Sequence, residues 1–164
     1  MLTGNFNALI SPSMRTNASS NLTTVLKGVD GNEMSFNSSN IPSAVISANH
    51  NQRLVLGSGA TEPAHTDYCA ESPINTLTEI SSGTDVKTTG TLSYSDYDKF
   101  HYLTVTCVVR NDTNAPIVVN EVCIYTQTSS SIGNTDIMLS RNVISPVTIG
   151  VGEQKAFSVT IGDE

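Results

Sequence analysis

The apolar residues of this chain fall in short islands separated by clusters of Asn, Ser, Thr, Asp and Gly, and no long stripe of 3.6-residue period occurs. Where an island is long enough to show a period, the period is two. In "FHYLTVTCVVR", residues 100–110, Leu103, Val105, Cys107 and Val109 share one side while Tyr102, Thr104 and Thr106 share the other, which predicts a half-buried strand. "NDTNAP" then reads as a turn and "IVVNEVCIYT" as the returning strand of a hairpin. In that hairpin Leu103 would oppose Ile124, Val105 would oppose Val122 and Val109 would oppose Val118. Cys123 would then lie opposite Thr104, on the face away from Cys107, so no disulfide is expected between the two cysteines.

The same grammar runs through the rest of the chain. "TTVLKGVDGNEMSF" predicts two strands around Asp30-Gly31, a pair that tolerates positive φ and favours a hairpin. "IPSAVIS" and "RLVLG" follow as further strands. "DIMLSRNVI" and "PVTIGV" lead to a tight turn at Gly152-Glu153 and to "KAFSVTIG", in which Phe157, Val159 and Ile161 alternate, again as in a hairpin. No segment has the length of an amphipathic helix. The expected fold is all-β, an antiparallel β-sandwich or jelly-roll-like barrel. Residues 1–20, polar and punctuated by Pro12, read as an extended N-terminal arm, and residues 21–164 as a single domain.

"RLVLGSGATEPAHTDYCAESPI", residues 53–74, starts like a phosphate loop and does not continue as one, since no third glycine or lysine follows Gly57 and Gly59. It reads instead as a structural corner. The glycines let the backbone leave the sheet through conformations closed to other residues, and Pro63 keeps the exit extended. Thr66 or Asp67 caps one helical turn over Tyr68, Cys69 and Ala70, with Tyr68 as the packing anchor.

Composition narrows the function. The chain has 164 residues and a net charge of -7, with its eight Lys and Arg scattered singly, so it carries no electrostatic footprint for nucleic acid. Ser, Thr and Asn make up about a third of it and Trp is absent. No segment approaches the roughly 20 apolar residues of a membrane span, and the start lacks the pattern of a secretory signal; the expectation is a soluble chain made in a cytoplasm. The sequons at Asn17, Asn21, Asn37 and Asn111 carry no weight in that setting. Cys69, Cys107 and Cys123 are odd in number and lack metal-ligand spacing, which favours free thiols.

Sites of chemistry are thin. His65-x3-Cys69 is the only metal-like spacing, and a site needs three or four ligands. Asp96 and Asp98, with Asp112, lack the glycine and distal glutamate of a calcium loop. No nucleophile context occurs, and no cofactor, metal or catalytic residue is expected. Glu121 and Arg141 interrupt otherwise apolar strands, either as a bidentate bridge between strands or as two independent surface charges.

The succession of a strand, Gly-x-Gly, a proline, Asp-Tyr and Glu-x-Pro-Ile, followed by "NEVCIY", "MLSRNVISPVTI" and "VGEQKAFSVTI", resembles a group of small virion structural proteins of tailed bacteriophages and prophages. The resemblance spans residues 53–161. It implies a β-rich, non-enzymatic subunit of the particle, placed on the capsid, the neck or the tail. Its partners would be other virion proteins and further copies of itself, with neither nucleic acid nor membrane among them, and assembly would take place in the bacterial cytoplasm. It also implies that Glu121 and Arg141 recur in the group. An alternative is a receptor- or glycan-binding module of a phage fibre, presenting Tyr94, Tyr97 and Tyr102 from loop clusters.

Overall fold

A computed structural model describes residues 1–2, 23–37, 52–88, 101–130 and 133–162. The described residues form eight β-strands and no helix: β1 (Thr23–Lys27), β2 (Glu33–Asn37), β3 (Gln52–Gly57), β4 (Thr78–Thr88), β5 (His101–Arg110), β6 (Ile117–Ser130), β7 (Gly133–Ile149) and β8 (Gln154–Gly162). All pairings are antiparallel. The strands make a two-stranded unit β1-β2 and two three-stranded sheets, β3-β6-β7 and β4-β5-β8. The sheets stay open and do not close into a barrel.

The β1-β2 hairpin forms where the Asp30-Gly31 pair predicts it. Lys27 opposes Glu33, and Gly31 takes the left-handed conformation, with φ of 83°. The strand expected over "IPSAVIS" falls outside the described residues, as does most of the expected arm. Of that arm only Met1 and Leu2 are described, and they lie against β7, where Leu2 bridges Ser140.

Period-two alternation correctly marks the buried faces of β5 and β8. Val105, Cys107 and Val109 are buried while Thr106 is exposed; Phe157 is buried while Ala156, Ser158 and Thr160 are exposed. The pairing predicted from that alternation is wrong. β5 is hydrogen-bonded to β4 and β8, while β6 is hydrogen-bonded to β3 and β7, so residues 100–110 and 117–126 belong to different sheets. Their apolar faces meet across one core cluster instead, with Val105, Cys107, Val109 and Phe157 of one sheet against Leu54, Leu56, Val119, Val122, Ile124, Ile137, Leu139 and Ile149 of the other. Apolar matching looks the same whether two strands lie side by side or face to face. The same correction holds for the Gly152-Glu153 turn, because β8 pairs with β5 and not with β7. "DIMLSRNVI" and "PVTI" are one strand, β7, whose pairing with β6 shifts register twice.

Two of the three crossings between the sheets, β5 to β6 and β7 to β8, converge on Asn111. Its side-chain nitrogen donates to the carbonyls of Ala115 (2.8 Å) and Ile149 (2.9 Å), and its side-chain oxygen accepts from the Thr113 amide (3.0 Å) and hydroxyl (2.7 Å). Its backbone nitrogen donates to Glu153 O, and its carbonyl accepts from the Gly152 amide. Gly152 has φ of 74°, the left-handed region, with open space where a Cβ would stand.

Asn111→Ala takes the side-chain donor from the carbonyl of buried Ile149 and removes the bonds to Ala115 and Thr113, and is expected to lower the unfolding free energy by about 1–3 kcal/mol in urea titrations. A loss under about 0.5 kcal/mol would show that the arch does not depend on it. Gly152→Ala meets no steric obstacle, so it should cost only the backbone term, about 1–2 kcal/mol.

Candidate functional site

The two faces of the β3-β6-β7 sheet differ in what covers them. One carries the core. Against the other lies the corner segment, residues 58–74, which runs back over the sheet after β3, is closed on itself by Ser58 N to Ser72 O and is held to β3 by Ile74 N to Leu56 O. Beneath it, Ala70, Cys123, Tyr125 and Met138 form a second apolar cluster, flanked by Val29 and Val55. The Tyr125 hydroxyl accepts the Ala70 amide at 2.7 Å.

At the edge of this cluster stands Arg141, 3% exposed. Its Nε donates to Glu121 Oε2 (2.7 Å), its Nη1 to Asp67 Oδ2 (2.9 Å) and its Nη2 to Glu71 Oε2 (2.8 Å). Glu121 comes from β6 and is fully buried; Asp67 and Glu71 come from the corner and are progressively more open to solvent. One guanidinium therefore ties two adjacent strands to the segment lying across them. Each carboxylate has a second anchor. Glu121 Oε1 accepts the Ser72 amide (3.2 Å), Asp67 Oδ2 accepts the Ala64 amide (2.9 Å), and Glu71 accepts the Thr61 amide (3.0 Å) and hydroxyl.

The structure thus brings Glu121 and Arg141 into contact, through one nitrogen rather than a bidentate fork, and adds Asp67 as a second partner. Glu71 was not singled out by the sequence. Glu121 faces Val143, and Arg141 faces Cys123, in the β6-β7 register, so the pair is diagonal across the two strands.

Gly57 and Gly59 serve this cluster for a reason other than the one expected. Neither has positive φ. A Cβ on Gly57 would lie 2.2 Å from Glu121 Oε1, and one on Gly59 would lie 2.6 Å from Glu71 Cβ and 2.9 Å from Glu121 Oε2. The missing side chains are the space that the carboxylates occupy. The helical turn expected over Tyr68–Ala70 is absent as well: the segment turns at Ala64–Asp67 through Asp67 N to Ala64 O, and the Asp67 carboxylate closes that turn instead of capping a helix. Pro63 lies in the irregular run before this turn. Tyr68 reaches the β1-β2 hairpin, with the Lys27 ammonium 4.0 Å from its ring centroid and Gly31 against its edge.

Burial acts against the charge of Arg141, but the hydrogen bonds and charges of Glu121 and Asp67 outweigh it and hold the guanidinium protonated above its usual range. The Thr61 hydrogen bonds, with a further contribution from Arg141, draw Glu71 below the usual carboxylate range. Burial pushes the Cys123 thiol up to about 12, the Cys107 thiol up to about 11 and the Tyr125 phenol up to about 12. These groups are held in their neutral forms. All three cysteines are free thiols.

The other candidates stand apart from this cluster. His65 Nδ1 lies 3.0 Å from the Leu2 carbonyl, and among the described residues no group of three or more His, Cys, Asp and Glu is arranged to hold a metal. Asp112 pairs with Arg110 at 2.6 Å. Asp96, Asp98, Tyr94 and Tyr97 fall outside the described residues, and nothing is described of the Tyr102 side chain. Among the described residues no helix is long and apolar enough to cross a membrane. Comparison with protein-family models, curated proteins and solved structures finds no significant match to this chain.

Arg141→Met strands the buried Glu121 charge and is expected to cost about 3–5 kcal/mol of stability. Gly57→Ala forces a methyl group into the Glu121 carboxylate and should cost at least about 1–3 kcal/mol. Wild-type stability in either variant, read by denaturant unfolding, would contradict the clamp.

Because the folded state holds Glu71 below its unfolded value, its contribution is present above the unfolded pKa and lost as pH falls through the folded one. Acidification below the usual carboxylate range should therefore shift the Ala70 amide resonance as the corner loosens, before the core amides of β5 and β6 respond. Simultaneous loss of all of them would contradict a separable corner. Alkylation at pH 8 should modify half-buried Cys69 well before Cys107 and Cys123, as read by peptide mass mapping; equal rates would contradict the burial assigned to them.

Proposed function

We propose that this chain is a non-enzymatic structural protein of a bacteriophage virion, a β-sandwich subunit that docks on other virion proteins of the capsid, neck or tail. The observation that carries the reading is the commitment of Arg141. Among the described residues, the buried convergence of charged groups is Arg141 with Glu121, Asp67 and Glu71, and each guanidinium nitrogen is bound to a different carboxylate. Catalysis needs groups aimed at a space a substrate can enter. Here they are aimed at one another, across the seam between a sheet and the segment covering it, and the result is a rigid body.

The sandwich reading rests on the core shared by the two three-stranded sheets. A body of this kind works through its surface, and the outward residues Thr104, Thr106, Ser158 and Thr160 offer uncharged hydrogen-bonding groups suited to contact with other proteins. The virion setting comes from the resemblance carried by residues 53–161, in which the Gly-x-Gly, Glu121 and Arg141 positions that build the clamp all take part.

Immunogold labelling and quantitative mass spectrometry of gradient-purified particles, from a phage or induced prophage carrying this gene, test the proposal. The expected result is labelled particles with a fixed copy number of the chain per particle. Recovery of the chain only in the unassembled lysate fraction would overturn it.

A further inference from the structure

We infer that β8 is an assembly edge, and that a second copy of this chain adds to it in antiparallel register, Ser158 facing Ser158. This goes beyond the virion reading and does not rest on it.

A groove of about 460 Å³ is lined by Ser158, Val159, Thr160 and Ile161 on one wall and by Met1, Leu2, Ser140 and Asn142 on the other. The first four are consecutive residues of one strand. Side chains of a strand alternate between its two faces, so a groove touched by four in a row runs along the edge, beside the backbone amides and carbonyls. β5 occupies the opposite side of β8. Among the described residues, the edge along this groove is the unpaired one.

The other three sheet edges carry features that discourage strand addition. β3 is six residues long, and its edge is engaged by the corner through Gly57 and Pro73. β4 shifts register between Glu79 and Ser81. β7 carries Met1 and Leu2, held through Met1 N to Arg141 O (2.8 Å) and Arg141 N to Met1 O (3.0 Å). By contrast, β8 runs nine residues with no proline and no shift in its pairing with β5. Its single charged residue, Lys155, is paired with Glu153 at 2.8 Å.

The sequence of β8 suits its own copy. An antiparallel pair centred on Ser158 overlaps all of Gln154–Gly162. It sets Phe157 opposite Val159 and Lys155 opposite Ile161 on the core side, and Ala156 opposite Thr160 on the outer side. No like charges oppose each other, and the two exposed Ser158 residues sit on the axis. An isologous contact requires such self-complementarity. Two three-stranded sheets would thereby become one sheet of six.

Native mass spectrometry of the purified full chain at tens of micromolar, together with Ser158→Cys and Ser158→Lys, tests the inference. Directly opposed residues in an antiparallel pair have Cα atoms about 4.5–5.5 Å apart, within disulfide reach. The expected results are a wild-type dimer, a Ser158→Cys dimer cross-linked through residue 158 on mild oxidation, and a monomer for Ser158→Lys, whose two ammonium groups would face each other. Ser82→Cys on β4, equally exposed, should not cross-link. A monomeric wild type, a dimer that survives Ser158→Lys, or a Ser158→Cys variant with no 158–158 bond would overturn the inference.

Discussion

A guanidinium taken out of water is tolerable only where its N–H groups meet oxygen and its charge meets charge. Arg141 satisfies both conditions with three carboxylates drawn from two parts of the chain, one on the neighbouring strand and two on the corner. The arrangement is mutual. Glu121 is as costly to bury as Arg141 and has no exposure at all, so either charge alone would expel itself or unfold its surroundings. If the corner left the sheet, Arg141 would lose Asp67 and Glu71 and Glu121 would lose the Ser72 amide, leaving each with the other alone.

This constraint explains why the two sheets differ in composition. In β4-β5-β8, β5 and β8 bury one face and alternate apolar residues with Thr and Ser. β3-β6-β7 is covered on both, by the core and by the corner, so in β6 the run from Glu121 to Thr126 is buried without interruption. Buried residues on successive positions are the expected mark of a sheet enclosed on both sides. The glycines of β3 and its exit follow from the same source. Where Glu121 and Glu71 turn inward, the adjoining backbone has no room for a Cβ.

What could be read from the sequence was local. Alternation located the core faces of β5 and β8, and Asp30-Gly31 located a hairpin, because those signals are written in neighbouring residues. Partnership between strands was not legible. Leu103, Val105 and Val109 match β6 residue for residue in a hairpin register, yet the two strands belong to different sheets that share one core cluster. The arch between them is organised by Asn111, whose partners at Ile149 and Glu153 lie far along the chain. β4 escaped notice because its exposed "TEISSG" has no apolar period. At the candidate site, a lone Glu and a lone Arg stood out in apolar strands, yet the sequence left a bridge and two separate surface charges equally open. Glu71 gave no such sign, since an acid in a polar loop looks the same whether solvated or clamped, and the close approach that requires Gly57 and Gly59 exists only after folding.

Glu121 and Arg141 act as one unit. A double-mutant cycle with Glu121→Leu, Arg141→Met and the pair together, followed by equilibrium unfolding, tests it most directly. If each charge is costly chiefly because the other is missing, the double variant will be more stable than the sum of the single losses implies, with a coupling energy of about 2 kcal/mol or more. Losses that add to within about 0.5 kcal/mol would mean that the two residues are independent, and that the corner is held to the sheet by something else.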